Sequence, residues 1–347
     1  MSFAFMDRSL ACSCNTFLGN TRVDVIEWAL FVGLLGEPMR TSRKLGSEVR
    51  FQQEGGGEMN EHLVGHVSEL WRYPVKSMLG ERRNQMQITE NGTLGDRVWA
   101  LRETETGRIA SAKRFPQLLT FRARYVEEPS LTSPGRVEIQ LPNGRNIPTD
   151  DPDASKIISC SLGTNVHLAN QPLAAEKSAI DRAKVFGDLP VQTMKPDWSL
   201  ESMPDYFQLK TGTFFEMGAV YLLASGSVDH LRMLQGVPTQ VDRRRFRPNV
   251  YIDSKLEPDG FVEDSWLGGS LRLGGTVVVE QFRPTLWCVT STLAQEDLPQ
   301  DLNVLRATAK HHRGCLGVYG SVTRSGSISV EDTVHFLHTH SDGSTQS

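Results

Sequence analysis

The stretch Gln281–Gln295, Q-F-R-P-T-L-W-C-V-T-S-T-L-A-Q, closes a run rich in strand formers and sets one cysteine, Cys288, between Trp287 and Val289. A thiol in a strand-like setting is ordinarily a small buried apolar group. Three features make this one a candidate reactive atom. Arg283 and Pro284 precede it, hydroxyls follow at Thr290, Ser291 and Thr292, and an arginine-rich stretch with its own Arg-Pro lies upstream. Thiolates are soft metal ligands, and neighbouring positive charge stabilises them.

That upstream stretch is Asp242-Arg-Arg-Arg-Phe-Arg-Pro-Asn249, leading into a short strand at Val250 to Asp253. A solvated basic face is the usual reason for such a run. The alternative is an anion site, because Pro248 forces an extended approach that puts Arg247 and Asn249 at a strand start. Arginine offers a planar fork to phosphate, and asparagine can pair with the edge of a heterocycle. Other polar groups stand in comparable places. Tyr73-Pro-Val-Lys-Ser77 ends a strand with Lys76 and Ser77 in a proline-fixed turn. Gly95-Asp-Arg97 offers Arg97, or else an ion pair of Arg97 with Asp96 or Glu103. Ser225-Gly-Ser227 opens a helix whose amides either face an anion or are simply capped.

Turn signals at Asn91-Gly92, Thr106-Gly107 and Asn143-Gly144 separate segments of strand-like alternation. Strands are expected at 95–101, 119–126 and 213–223. Helices are expected at 154–162, opened by Asp153 and closed by Gly163, at 228–235 and at 301–311. The fold class is therefore mainly β with some helices (α+β). A net charge of −4 argues against a general nucleic-acid or membrane-surface binder. The most apolar part of the first 58 residues, Trp28 to Leu35, is too short to span a bilayer, so no membrane and a cytoplasmic location are expected. Five cysteines without disulfide-like spacing fit a reducing compartment, and no iron–sulfur run occurs. His311, His312 and Cys315 lack zinc spacing.

Taken in order, Y-P-V-K-S (73–77), G-D-R (95–97), R-F-R-P-N (245–249), E-D-S-W (263–266), R-P-T-L-W-C-V-T-S-T (283–292) and G-V-Y (317–319) resemble the MOSC family, the molybdenum-cofactor sulfurase C-terminal type. The likeness is to bacterial MOSC proteins and the amidoxime-reducing component, over about Val64 to Leu337. It implies a small N-terminal β-barrel domain at 62–175, a connection at 176–204, a MOSC β-barrel domain at 205–338 and a tail at 339–347. Residues 1–58 are expected to be a disordered or misassigned extension.

The resemblance also implies a site between the two domains for the molybdenum cofactor, Mo-molybdopterin. Cys288 would ligate the metal. Lys76, Ser77, Arg97, Arg247, Asn249 and Tyr319 would contact the pterin or its phosphate, with backbone donors near Ser225. One departure is Trp287-Cys288, where relatives often have Arg-Cys. Two functions follow. One is an oxidoreductase for N-hydroxylated or N-oxygenated small molecules, fed by an external flavoprotein or ferredoxin/cytochrome-type reductase. The other is a carrier of cofactor or persulfide sulfur without turnover.

Overall fold

The computed structural model describes residues 61–170, 213–215, 218–235, 241–254 and 260–337. The extension at 1–58, the connection at 176–204 and the tail at 339–347 lie outside the described residues. Among the described residues no helix is long and apolar enough to cross a membrane.

The first strand, β1 (Glu61–Arg72), buries Val64, Val67 and Leu70, a spacing of three where a regular strand repeats every two. Two register shifts, at Leu63/Gly65 and Val67/Glu69, account for it. Each bulge adds a residue and restores the apolar set to the inner face. Gly65 permits the closest approach: a Cβ there would lie 2.1 Å from the Asp253 carbonyl oxygen.

Short strands follow at β2 (Glu81–Arg83), β3 (Gln85–Thr89), β4 (Gly92–Thr93) and β5 (Trp99–Glu103), then β6 (Arg122–Glu127), β7 (Arg136–Gln140), β8 (Asn146–Pro148), helix α1 (Ala154–Leu162) and β9 (Val166–Asn170). The second half contains β10 (Val220–Ala224), α2 (Ser225–Gln235), β11 (Val250–Asp253), β12 (Ser270–Leu273), β13 (Val277–Leu286), α3 (Asn303–His312), β14 (Cys315–Arg324), β15 (Gly326–Ser329) and β16 (Thr333–Leu337).

Seven strands close a barrel in the order β11-β10-β14-β13-β12-β16-β1, with β1 returning to β11. All neighbours run antiparallel except β10 and β11, which are joined through α2. Leu222, Val250, Ile252, Trp266, Val279 and Val318 fill the interior. The N-terminal unit packs β5–β9 and β6–β7–β8 around Val75, Met78, Phe121, Ile139 and Ile158. The class is mainly β with helices, as the sequence implies, but the barrels do not divide cleanly in sequence. Strand β1 belongs to the second barrel, and β3 pairs with β15 from the far end of the chain.

Several element limits differ from expectation. Gly95 and Arg97 both have positive φ, 81° and 51°, which no extended strand tolerates, so β5 starts only at Trp99. Pro116 opens a 3₁₀ turn over Pro116–Thr120 and delays β6 to Arg122. Strand β10 begins at Val220, and α2 begins at Ser225 rather than after it. Helix α1 has its expected limits with Gly163 left-handed after it, but Asp153 makes no side-chain cap.

Candidate functional site

Pro74 follows the end of β1 and turns the chain across the seam between the closed barrel and the N-terminal unit. The turn is tied to β5 by the Lys76 amide, which donates to the Trp99 carbonyl at 2.8 Å. Lys76 Nζ donates to the Phe214 carbonyl at 2.9 Å. Ser77 is left-handed at φ 69°, and its hydroxyl accepts from the Ala112 amide at 3.1 Å. The buried Tyr73 ring forms a floor shared by two guanidinium groups. Arg247 lies 4.2 Å and Arg97 4.7 Å from its centroid. Burial pushes the Tyr73 phenol up, so it stays neutral and donates to the Pro248 carbonyl at 3.3 Å.

Arg97 makes one of the two ion pairs left open by sequence. It pairs with Asp96 and also stacks 4.1 Å from the Phe215 centroid, while Glu103 pairs with Arg114. Asp96 is fixed in turn by the Tyr73 amide, 2.7 Å from Oδ1. Phe215 meets Tyr319 edge-on at 5.6 Å, and Tyr319 lies 5.4 Å from Tyr221.

The arginine run is neither a solvated face nor a uniform anion site. Arg243 to Phe246 form a 3₁₀ turn capped by Asp242, and its arginines are engaged one by one. Arg243 pairs with Glu69; Arg244 pairs with Asp242, Glu296 and Asp297; Arg245 donates to the Leu293 and Pro299 carbonyls. Arg247 differs. It is 7% exposed and left-handed at φ 50°. Its Nη2 donates to the Met78 carbonyl at 2.7 Å, and Nη1 faces no acceptor among the described residues. Burial pushes this guanidinium down to about 10.

Cys288 follows β13, half-buried and extended. Its thiol donates to Thr290 Oγ1 at 3.4 Å, and the Ser291 amide and hydroxyl both donate to its carbonyl at 3.1 Å. The next residue, Val289, packs with Ala112, Leu119 and Leu293, so the thiol stands where the barrels meet. Trp287 packs edge-on against Tyr221 at 5.7 Å and Phe246 at 5.1 Å. Cys315, cross-strand from Leu286, is a poorer nucleophile, because burial pushes its thiol up to about 11. No three His, Cys, Asp or Glu side chains cluster as metal ligands among the described residues.

The geometry thus brings Lys76, Ser77, Arg97, Arg247, Tyr319 and Cys288 to one seam. Two other sequence candidates are held by partners in the protein. Asn249 is 0% exposed, and its amide is committed to backbone: Nδ2 donates to the Trp71 carbonyl and Oδ1 accepts from the Tyr221 amide, both at 3.2 Å. It ties β1 to β10 beside Arg247. Ser225 lies at the opposite end of β10. Its hydroxyl donates to Asp253 and accepts from the Ser254 amide, while the Gly226 amide donates to the Ser254 hydroxyl. The Ala224 amide and Ser227 hydroxyl donate to Glu263. Sequence reading missed Phe215 and the floor made by Tyr73. Tyr73 sits inside a quoted motif, but nothing local marks Phe215, whose partner Arg97 is distant in the chain.

Residues 64–162 match the family described as MOSC N-terminal beta barrel domain, and residues 209–335 match the MOSC domain. Mitochondrial amidoxime reducing component 2 from Bos taurus is 25% identical over 294 residues, covering 78% of this chain and 83% of that protein. The Homo sapiens protein of that name is 24% identical over the same shares. Mitochondrial amidoxime-reducing component 1 from Mus musculus is 25% identical over 79% of this chain and 83% of its own length. The crystal structure of the YUAD protein from Bacillus subtilis aligns with 81% of this chain and all of its own at 11% identity and a TM-score of 0.39, too loose to carry an argument. With both domains matched in order across the two halves of the described structure, the chain belongs to the MOSC-domain family and carries the N-terminal beta barrel domain before its MOSC domain.

Proposed function

We propose that this protein is an oxidoreductase that removes oxygen from N-hydroxylated and N-oxygenated small molecules. It would use the molybdenum cofactor Mo-molybdopterin, with Cys288 as the protein's ligand to the metal. The observation that carries the reading is Arg247, a buried cation whose Nη1 has no protein acceptor. A buried donor left unpaired is costly, and an anion that completes it is correspondingly favoured. A pterin dithiolene offers the complementary parts: an anionic phosphate, a flat polar ring and two soft sulfurs, which one protein thiolate complements at the metal. The residues fit that set. Arg247 would hold the phosphate, Lys76, Ser77 and Arg97 would hold polar edges, Tyr319 would wall the ring, and Cys288 would take the metal.

When bound, the cofactor supplies two-electron oxygen-removal chemistry. The chain supplies placement and charge. Neutral Tyr73 puts no anion beside Arg247, and Asp96 holds Arg97 between two rings. Thr290 fixes the thiol's direction. The names of the amidoxime reducing relatives support N-oxygenated substrates. Electrons would come from a separate reductase of flavoprotein or ferredoxin/cytochrome type.

Full-length protein from a host that makes the cofactor should contain near-stoichiometric molybdenum and pterin, and Cys288→Ser should lose most of the metal. With a reductase or dye, the loaded protein should turn an amidoxime into an amidine; with NAD(P)H alone it should not. Full metal retention by the serine variant ends the ligand assignment. Loaded protein that is inert on a panel of N-oxygenated substrates leaves the carrier of cofactor or persulfide as the better reading.

A further inference from the structure

The thiol and the incompletely paired Arg247 guanidinium lie on different elements, 41 positions apart in the chain, yet each residue is covalently next to one member of a single ring pair. Cys288 follows Trp287, Arg247 follows Phe246, and the two rings meet edge to face at 5.1 Å and 79°. Edge-to-face pairs are directional contacts, so this one restrains angle as well as distance. Trp287 is fixed on its other sides too. Its amide donates to the Gly314 carbonyl and its indole N–H to the Leu316 carbonyl, both at 2.9 Å. The Tyr221 hydroxyl donates to the same Leu316 oxygen at 2.9 Å, and the Tyr221 ring packs on the indole. Phe246 is fully buried at the end of the arginine turn.

We infer that Trp287 is a positioning residue whose contact with Phe246 sets the placement of the Cys288 thiol relative to the Arg247 guanidinium. The idea rests on the function proposed above in one respect only: what spans the two groups is taken to be a ligand with a soft metal at one end and an anion at the other. Trp287 does not touch that ligand. A loose joint would leave both ends able to bind but not in register, and misplacement by about 1 Å at a reacting centre can cost on the order of a hundredfold in rate.

The test is a double-mutant cycle on the full-length chain with Trp287→Leu, Phe246→Leu and both together, plus Trp287→Phe, which keeps a ring but loses the bond to Leu316. In loaded protein each leucine variant should lose tenfold or more in kcat with KM little changed, and the pair should lose no more than either alone. Trp287→Phe should recover most of the rate, and the paramagnetic signature of the metal should change in the leucine variants only.

The same cycle is then read in cofactor-free protein as the rate of Cys288 alkylation by iodoacetamide, followed on the Cys288 peptide because Cys160 is also exposed. Each leucine variant should change that rate, and the double variant should change it no further. Additive effects in both readouts, or parental values throughout, overturn the joint. Coupled alkylation in a chain that binds no molybdenum supports the joint and sinks the proposed reaction.

Discussion

Strands β10 and β11 run parallel, and their two ends invite comparison because both read as anion sites in the sequence. At the end carrying α2, the two serine hydroxyls and the Ala224 and Gly226 amides each have a partner in the protein. Ser225 is bonded to Asp253 and Ser254, Gly226 to Ser254, and Ser227 and Ala224 to Glu263. At the other end Asn249 is equally committed, but Arg247 keeps a buried nitrogen with no acceptor. Buried polar groups in folded proteins are overwhelmingly paired, so a satisfied set reads as structure and an incompletely paired buried cation reads as a place for an anion. Residue type does not separate the two ends; satisfaction does.

The sharpest way to break the comparison is Arg247→Ala. A charge-assisted hydrogen bond contributes roughly 1.5–3 kcal/mol, so cofactor affinity should fall about ten- to a hundredfold. The thermal midpoint should fall as well, because the Met78 carbonyl loses its donor and the Tyr73 ring its stacked guanidinium. Equilibrium dialysis of the loaded protein, with pterin read by fluorescence, measures the first effect and thermal unfolding the second. Unchanged retention would mean that the orphaned nitrogen faces bound water and that the anion site lies elsewhere.

How much of this was legible beforehand follows from the same distinction. Cys288, Arg247, Arg97, Lys76, Ser77 and Tyr319 stand out in the sequence because their chemistry is unusual for its local setting, and short motifs carry it. The protein partners of Asn249 and Ser225 were not legible because they are remote: Trp71, which takes the Asn249 amide, is 178 positions away, and Ser254 is 29 positions from Ser225. The alternation of strands was visible in outline. The membership of β1 in the second barrel was not, since its bulges break the two-residue period and its partners, β11 and β16, come from the far half of the chain. Glycine readily takes the positive φ at Gly95, but the positive φ at Arg97, which delays β5, comes from a turn held by the Tyr73 carbonyl and the Asp96 carboxylate.

The satisfied end also makes a prediction about pH. Burial holds the Glu263 carboxyl above its ordinary value of 4.5, against the hydrogen bonds from Ser227 and the Ala224 amide that favour the ionised form. A raised folded-state pKa means that the unfolded chain loses this proton first. The stabilisation is therefore complete below about 4.5 and declines as pH rises through the folded value. Glu263→Gln keeps an acceptor for Ala224 and a partner for Ser227 without a titrating proton. Denaturant unfolding between about pH 4 and about pH 8 should show a flatter profile for the variant, its stability relative to the parent improving as pH rises. Parallel profiles would show that Glu263 is ionised in place, and its partners would then be the elements of an anion-holding site after all.

The smallest effect is the most diagnostic of the comparison, and it is Ser225→Ala. The hydroxyl makes two bonds, donating to Asp253 and accepting from the Ser254 amide. Asp253 is partly exposed and can turn to water, but Ser254 is buried and its amide loses its acceptor, so the cost should be about 1–2 kcal/mol. The thermal midpoint should fall by a few degrees at most. Cofactor retention and metal content should equal the parent's, because none of the site's groups at the seam contacts Ser225 through a described bond. Loss of cofactor from this variant at an unchanged midpoint would place the anion at the N-terminus of α2, and the orphaned nitrogen of Arg247 would no longer distinguish the two ends.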